Sequence, residues 1–318
     1  IGIGYWFTYK LMTTERQFTE AGGMTGIATI YLFFANLIFP GFAICLMLLL
    51  RKFTFVRLLA TLAGGVIPMM NVLGLRREPI ALLAMTIALT IFYVWRRPPP
   101  RLAIFGALFM AMLIIPATGT YRGMLSEGTD WSKFSPGWLM SNFESYFNQE
   151  SVLELRNGAA VIESTQRFSQ YDFGAGYWNQ MVFRYIPAQF VGLERKNALL
   201  IGTTVQQMLA GRTTAGYEFN TGSTVTGMGD AFQHFGWFGC LFFALMAVFF
   251  RSVWLASLQP HGIFAQLLYI LICTSAMRAL THQTVDFLPG LFYQLIFLSM
   301  GMLYARERGA PVVPVRRR

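Results

Sequence analysis

Residues 236–256 read GWFGCLFFALMAVFFRSVWLA, with Arg251 as the one charged residue among them. A hydrocarbon core of about 30 Å needs about 20 apolar residues of helix at 1.5 Å each. The stretch therefore predicts a membrane span. Working outward, similar runs occur at 26–50, 54–73, 79–95, 101–116, 262–280 and 287–305, seven in all. The third and fourth are near the lower length limit. Pro79 fits the first turn of its helix, where the missing N–H costs little. Pro40 and Pro68 lie inside spans and predict kinks or local breaks.

Composition agrees. The chain has 318 residues, 55% apolar and only 13% charged, with 30 Phe, 17 Met and seven Trp. Its mean hydropathy is +0.48. Soluble domains carry about 25% charged residues, and disordered chains are apolar-poor. Both classes are excluded. Cys45, Cys240 and Cys273 all fall in apolar runs without paired spacing. They read as small buried hydrophobes rather than a disulfide framework or a zinc site.

The net charge of +10 invites a nucleic-acid partner. The placement of the charges argues against one. Arg51, Lys52 and Arg57, then Arg96, Arg97 and Arg101, then Arg251, then Arg306, Arg308, Arg316, Arg317 and Arg318 all fall on one side of the spans. Basic residues in short loops mark the cytoplasmic face, which puts the basic tail, 306–318, inside. The opposite face then receives region 117–235, with eight basic and ten acidic residues, net −2. A structureless loop of that length would be unusual. Residues 149–168 predict a helix with Val152, Leu155, Ala159 and Ile162 on one face. Residues 177–186 predict another, ended by Pro187. The aromatics Trp131, Trp138, Tyr146, Tyr171, Tyr177 and Trp178 suit a membrane surface or a sugar-stacking face. The expected architecture is an all-α integral membrane protein: membrane helices over 1–116, a mostly helical outer region over 117–235, and membrane helices over 236–305.

Four clusters carry candidate chemistry. Arg76-Arg77-Glu78-Pro79 occupies a tight outer turn, where positive residues are disfavoured. Guanidinium groups there suit phosphate oxygens, with head-group snorkelling as the plain alternative. Arg122, Arg184, Arg195, Lys196 and Arg212 are spread through the outer region, and Arg184 falls at an apolar helix end that favours a cation. In the glycine-rich run 222–239, Asp230 and His234 are four apart and share a helix face. No third metal ligand lies at local spacing. Finally, Arg278 and His282 lie at the end of the sixth span, beside Asp286. Ionisable groups at such depth are functional candidates, and His282 titrates in a useful range. Arginines and histidines on one face of a greasy bundle imply an anionic ligand with a lipid tail, such as a lipid-linked pyrophosphate.

With these residues in view, the chain resembles the Wzy-type polysaccharide polymerases, the O-antigen or exopolysaccharide repeat-unit polymerase family. The likeness rests on the Gly74-Leu75-Arg76-Arg77-Glu78-Pro79 turn, the large outer region, Arg184-Tyr185-Ile186-Pro187, and the segment from Ser223 to Gly239. Where the family more often has Glu-x-Tyr, this chain has Asp230-Ala231-Phe232. The resemblance implies a membrane glycosyltransferase of the C type in a bacterial inner membrane, its large loop periplasmic and its C-terminus cytoplasmic. It would move a glycan from undecaprenyl pyrophosphate to the non-reducing end of another lipid-linked repeat unit. Neither a cofactor, a metal nor a nucleotide sugar is expected, and the partners would be the bilayer, a chain-length regulator and a flippase. Arg76, Arg77, Arg184, Arg212 and Arg278 would stabilise the pyrophosphate, and His282, Asp230, His234 and Glu78 are candidate bases. Members have more than seven spans, so further helices are expected ahead of Ile1. An O-antigen ligase shares the donor and fold type. A flippase for lipid-linked sugars is the rival of another class, although such proteins tend to place polar groups at the midplane.

Overall fold

A computed structural model describes residues 1–15, 17–18, 24–73, 77–112, several positions between 135 and 144, 153–201 and 224–307. Five helical runs among them are long and apolar enough to cross a membrane: Ile27–Arg51, Phe55–Val72, Thr226–Ser257, Ile263–Thr281 and Thr284–Arg306. The chain is a helical membrane protein. Two of the seven expected spans are shorter apolar helices, Pro79–Trp95 and Arg101–Met112. The β structure of the described residues is a two-residue antiparallel ladder, Gln17–Phe18 with Met24–Thr25.

In chain order the helices are α1 Gly2–Thr13, α2 Ile27–Ala35, α3 Ile38–Arg51, α4 Phe55–Leu73, α5 Arg77–Trp95 and α6 Arg101–Met112. They continue as α7 Leu153–Phe168, α8 Ala175–Tyr185, α9 Ala188–Val191, α10 Leu193–Ala198, α11 Thr226–Phe235, α12 Cys240–Ser257, α13 Ile263–Thr281 and α14 Phe287–Glu307. Short 3-10 turns, Gly236–Gly239 and Thr284–Asp286, precede α12 and α14. The break expected of Pro40 appears just upstream of it, as a two-residue turn between α2 and α3. Pro68 stays inside α4, and Pro79 falls in the first turn of α5, where it costs little.

The chain divides into two compact units, 41–153 and the remainder, 1–40 with 154–318. Within the first, Arg57 closes the α3–α4 turn by donating to the carbonyls of Leu48 and Lys52, 3.1 and 2.9 Å away. Gly65 of α4 lies against the Phe42 ring.

The second unit is built around α13, which is apolar and buried along most of its length, as a helix enclosed by other helices must be. Lipid tails are as apolar as leucine, so bilayer helices associate through close packing and hydrogen bonds instead. Gly290 of α14 lets Ser275 approach. Gln266 donates to the Ser257 carbonyl at 2.9 Å, tying α13 to the end of α12. Aromatic edges fill the rest: Phe250 and Trp254 against Tyr269, and Phe242 and Phe249 against Phe287. On the other side, Phe7 of α1 packs on Tyr31 and Phe34, and Tyr293 of α14 donates to the Phe33 carbonyl at 2.9 Å.

Helix α7 is present, but Leu155 and Ala159 are exposed, while Asn157, Gly158, Val161 and Thr165 are buried. The reason is steric. A Cβ on Gly158 would meet Thr226 and the Val225 carbonyl, and a Cβ on Gly229 would lie 2.9 Å from the Gly158 Cα. Backbones that close admit no side chain at Gly158, so the face that carries it packs and Leu155 turns away. The cysteines also divide. Cys273 is buried as expected, whereas Cys240 is exposed; all three are free.

Candidate functional site

Helix α11 organises the site. Eight of its residues are buried, including Asp230, Gln233 and His234. Its start is strained, with Thr226 at φ +58°, and Thr226 Oγ1 accepts from the Gly229 amide at 3.3 Å. Gly227 is required because a Cβ there would collide with the Ala279 carbonyl of α13. Glycine thus brings α11 onto α13 at backbone distance and fixes where Asp230 and His234 sit.

Asp230 Oδ2 accepts from the Thr284 amide at 2.7 Å, from Thr284 Oγ1 at 2.5 Å and from the Val285 amide at 3.3 Å. It therefore holds the start of the turn that leads into α14, where amide groups lack helical partners and a negative charge is favoured. Asp172 does the same for α8. Its Oδ1 accepts from the Gly174 amide at 3.0 Å and its Oδ2 from the Gly176 amide at 3.1 Å. His234 lies between the two carboxylates. Its Nδ1 donates to Asp172 Oδ1, and its Nε2 faces Asp230 Oδ2 at 3.5 Å. The imidazole is 1% exposed. Tyr177 roofs it, ring centroids 4.7 Å apart, and the Tyr177 hydroxyl donates to Thr284 Oγ1 at 2.6 Å. Burial holds that phenol above its ordinary pKa, so it stays a donor. Three segments, around 172, 234 and 284, are thus clamped about one imidazole.

Beside this buried cluster is a more accessible rim. Asp286 Oδ2 accepts from Arg278 Nη2 at 2.7 Å, and Asp286 Oδ1 from Gln180 Nε2 at 2.9 Å. The Arg278 side chain is 30% exposed, a guanidinium held in place at the edge of the cluster. His282 is half-buried, its Nδ1 2.8 Å from Thr281 Oγ1. No protein-family model, curated protein or solved structure matches this chain.

Of the residues expected from sequence, Asp230 and His234 come together, with Arg278 and His282 on the adjoining helix end and turn. Arg184 is exposed in the last turn of α8, the end at which a cation is favoured. Arg76 and Arg212 lie outside the described residues, as do the side chains of Arg77 and Glu78 in the first turn of α5. Trp131 and Tyr146 also lie outside them. Tyr177, expected as a surface aromatic, is buried because its ring covers His234. Among the described residues, no group of three or more His, Cys, Asp or Glu is arranged to hold a metal ion.

Sequence reasoning missed Asp172 and Thr284, and the place of Tyr177 over His234. Asp172 had a local signal, since Asp-Phe-Gly-Ala-Gly ahead of an apolar helix marks a helix start. Its pairing with His234, 62 positions away, had none. Chemically, a carboxylate-held imidazole is a preorganised proton carrier. Buried as it is, His234 ties the segment around Asp172 to Asp230 of α11.

Proposed function

We propose that the chain is a membrane glycosyltransferase that polymerises lipid-linked oligosaccharide repeat units. The carrying observation is the convergence, at one end of apolar helices, of Arg278 held by Asp286, half-buried His282 and the Asp172–His234–Asp230 cluster. A lipid carrier leaves its tail among such helices and its pyrophosphate at their end. In the reaction an acceptor sugar hydroxyl bonds to the anomeric carbon of the donor glycan. The bond from that carbon to the pyrophosphate oxygen breaks, and the hydroxyl proton passes to a base. Arg278 offsets charge on the departing pyrophosphate, and Arg184 does so from the end of α8. His282 takes the proton, being the accessible imidazole. Asp230, His234 and Asp172 act as positioning residues. The arrangement of basic groups supports a cytoplasmic C-terminus, with the rim on the opposite face, where repeat units are joined.

Deletion of the gene in its host, followed by sizing of lipid-linked intermediates and finished glycan, tests this reading. Single repeat units are expected to accumulate, with long chains absent. Complementation with Arg278→Ala or Arg184→Ala is expected to leave folded protein and no long chains. Normal chain lengths would remove that arginine from the mechanism. Long chains stranded on the carrier would instead identify a ligase, and intermediates trapped on the cytoplasmic leaflet a flippase; either overturns the polymerase reading.

A further inference from the structure

Helix α8 descends beside the start of α14. Along the two segments, Tyr177 meets Thr284, Gln180 meets Asp286 and Tyr185 meets the Pro289 carbonyl, at 2.6, 2.9 and 2.5 Å. The Tyr185 ring also stands edge-on to Phe33, centroids 5.9 Å apart. Phe33 lies six residues into the candidate span that starts at Ile27, about 9 Å along a helix at 1.5 Å per residue. The last turn of α8 is therefore level with the interior of two candidate spans.

The chain then turns and comes back. Lys196 of α10 donates to the Phe183 carbonyl at 3.1 Å. Trp178 Nε1 donates to the Leu199 carbonyl at 2.8 Å, and Asn179 pairs twice with Ile201. Residues 186–201 thus form a loop pinned at both ends against α8, with its tip near the deep end of that helix. Phe190 is only five residues from Tyr185, a reach of at most about 18 Å. At the tip, Phe190 is 78% and Leu193 65% exposed. Leu199, Leu200 and Ile201 are exposed as well. The same stretch, with Arg184, carries Arg195 and Lys196 against Glu194 alone. Exposed apolar residues within reach of that level, with a basic excess, match an interface element, not a water-facing loop.

We propose that residues 186–201 are a re-entrant membrane-interface element: Phe190 and Leu193 sit among acyl chains of the adjoining leaflet, and Arg195 takes the phosphate of an anionic phospholipid headgroup. This rests on the membrane reading and not on the polymerase reading. A re-entrant backbone is tolerated at this depth because its amides bond within its own short helices and its returning end bonds to Trp178 and Asn179 of α8.

The test uses the full chain with Cys45, Cys240 and Cys273 replaced and one new cysteine, Phe190→Cys, Leu193→Cys or the exposed reference Glu163→Cys. Each carries a fluorophore and is placed in nanodiscs of phosphatidylcholine, with or without phosphatidylglycerol. Labels at 190 and 193 are expected to be quenched by doxyl-labelled lipid and to be several-fold less sensitive to iodide than the label at 163. Equal iodide sensitivity at all three overturns the proposal. Phosphatidylglycerol is expected to increase quenching by doxyl lipid, and Arg195→Glu to abolish that increase. No response to phosphatidylglycerol overturns the headgroup half. Protection seen only after adding a polyprenyl pyrophosphate would assign the surface to that lipid and overturn the phospholipid assignment. In the unaltered chain, a diazirine phospholipid is expected to crosslink the peptide carrying 186–201; crosslinks elsewhere but none there overturn the proposal without any cysteine replacement.

Discussion

Helices α11 and α12 are consecutive, joined by the Gly236–Gly239 turn, and they are built oppositely. In α11 the glycines, Thr226, Asp230, Gln233 and His234 are buried. In α12, of Cys240–Ser257, only Val253 and Ser257 are, while Leu241, Leu245 and Val248 face outward. The difference teaches what burial means in this protein. A bilayer rewards apolar residues for facing out, and interior positions go to whatever packs closely or bonds fully. Polarity in α11 marks the inside of the molecule, and hydrophobicity in α12 marks its outside.

That contrast can be broken on purpose. The largest effect is expected from Gly227→Ala, whose methyl group meets the Ala279 carbonyl. Because the obstacle is backbone, α11 must leave α13, and the loss should exceed about 4 kcal/mol. No monodisperse protein is expected on size exclusion, whereas Met228→Ala, at an exposed neighbour, should elute normally. Next comes His234→Ala, which leaves Asp172 and Asp230 facing a void. Removing one partner from a buried charged cluster costs about 3–5 kcal/mol, seen as a large fall in the melting midpoint in detergent. An unchanged midpoint would mean that the clamp holds nothing together. Tyr177→Phe removes one hydrogen bond from Thr284 and should cost about 1 kcal/mol. Smallest of all, Leu245→Ala, at a position 70% exposed, should shift stability by no more than about 0.5 kcal/mol. A loss of several kcal/mol there would show that α12 is covered by protein rather than lipid.

The same contrast explains what could be read without coordinates. Helix α12 announces itself because a span needs only length and hydrophobicity, both local properties. The Asp230–His234 neighbourhood was half legible, since helical spacing puts positions four apart on one face. Their outside partners were not, because Asp172 and Thr284 are 62 and 54 positions away along the chain. Which face of α7 is buried was not legible for a related reason: Gly158 packs backbone to backbone against Gly229, far along the chain, and the apolar Leu155 is turned out.

The contact from Asp230 to Thr284 also sets a timetable. The carboxylate is synthesised 54 residues before the amides that will hold it. At about 5–20 residues per second, the nascent chain carries Asp230 without those partners for about three to eleven seconds. That interval is the time in which α12 and α13 are themselves made. Any delay in their synthesis lengthens the exposure of an acid that the finished molecule hides.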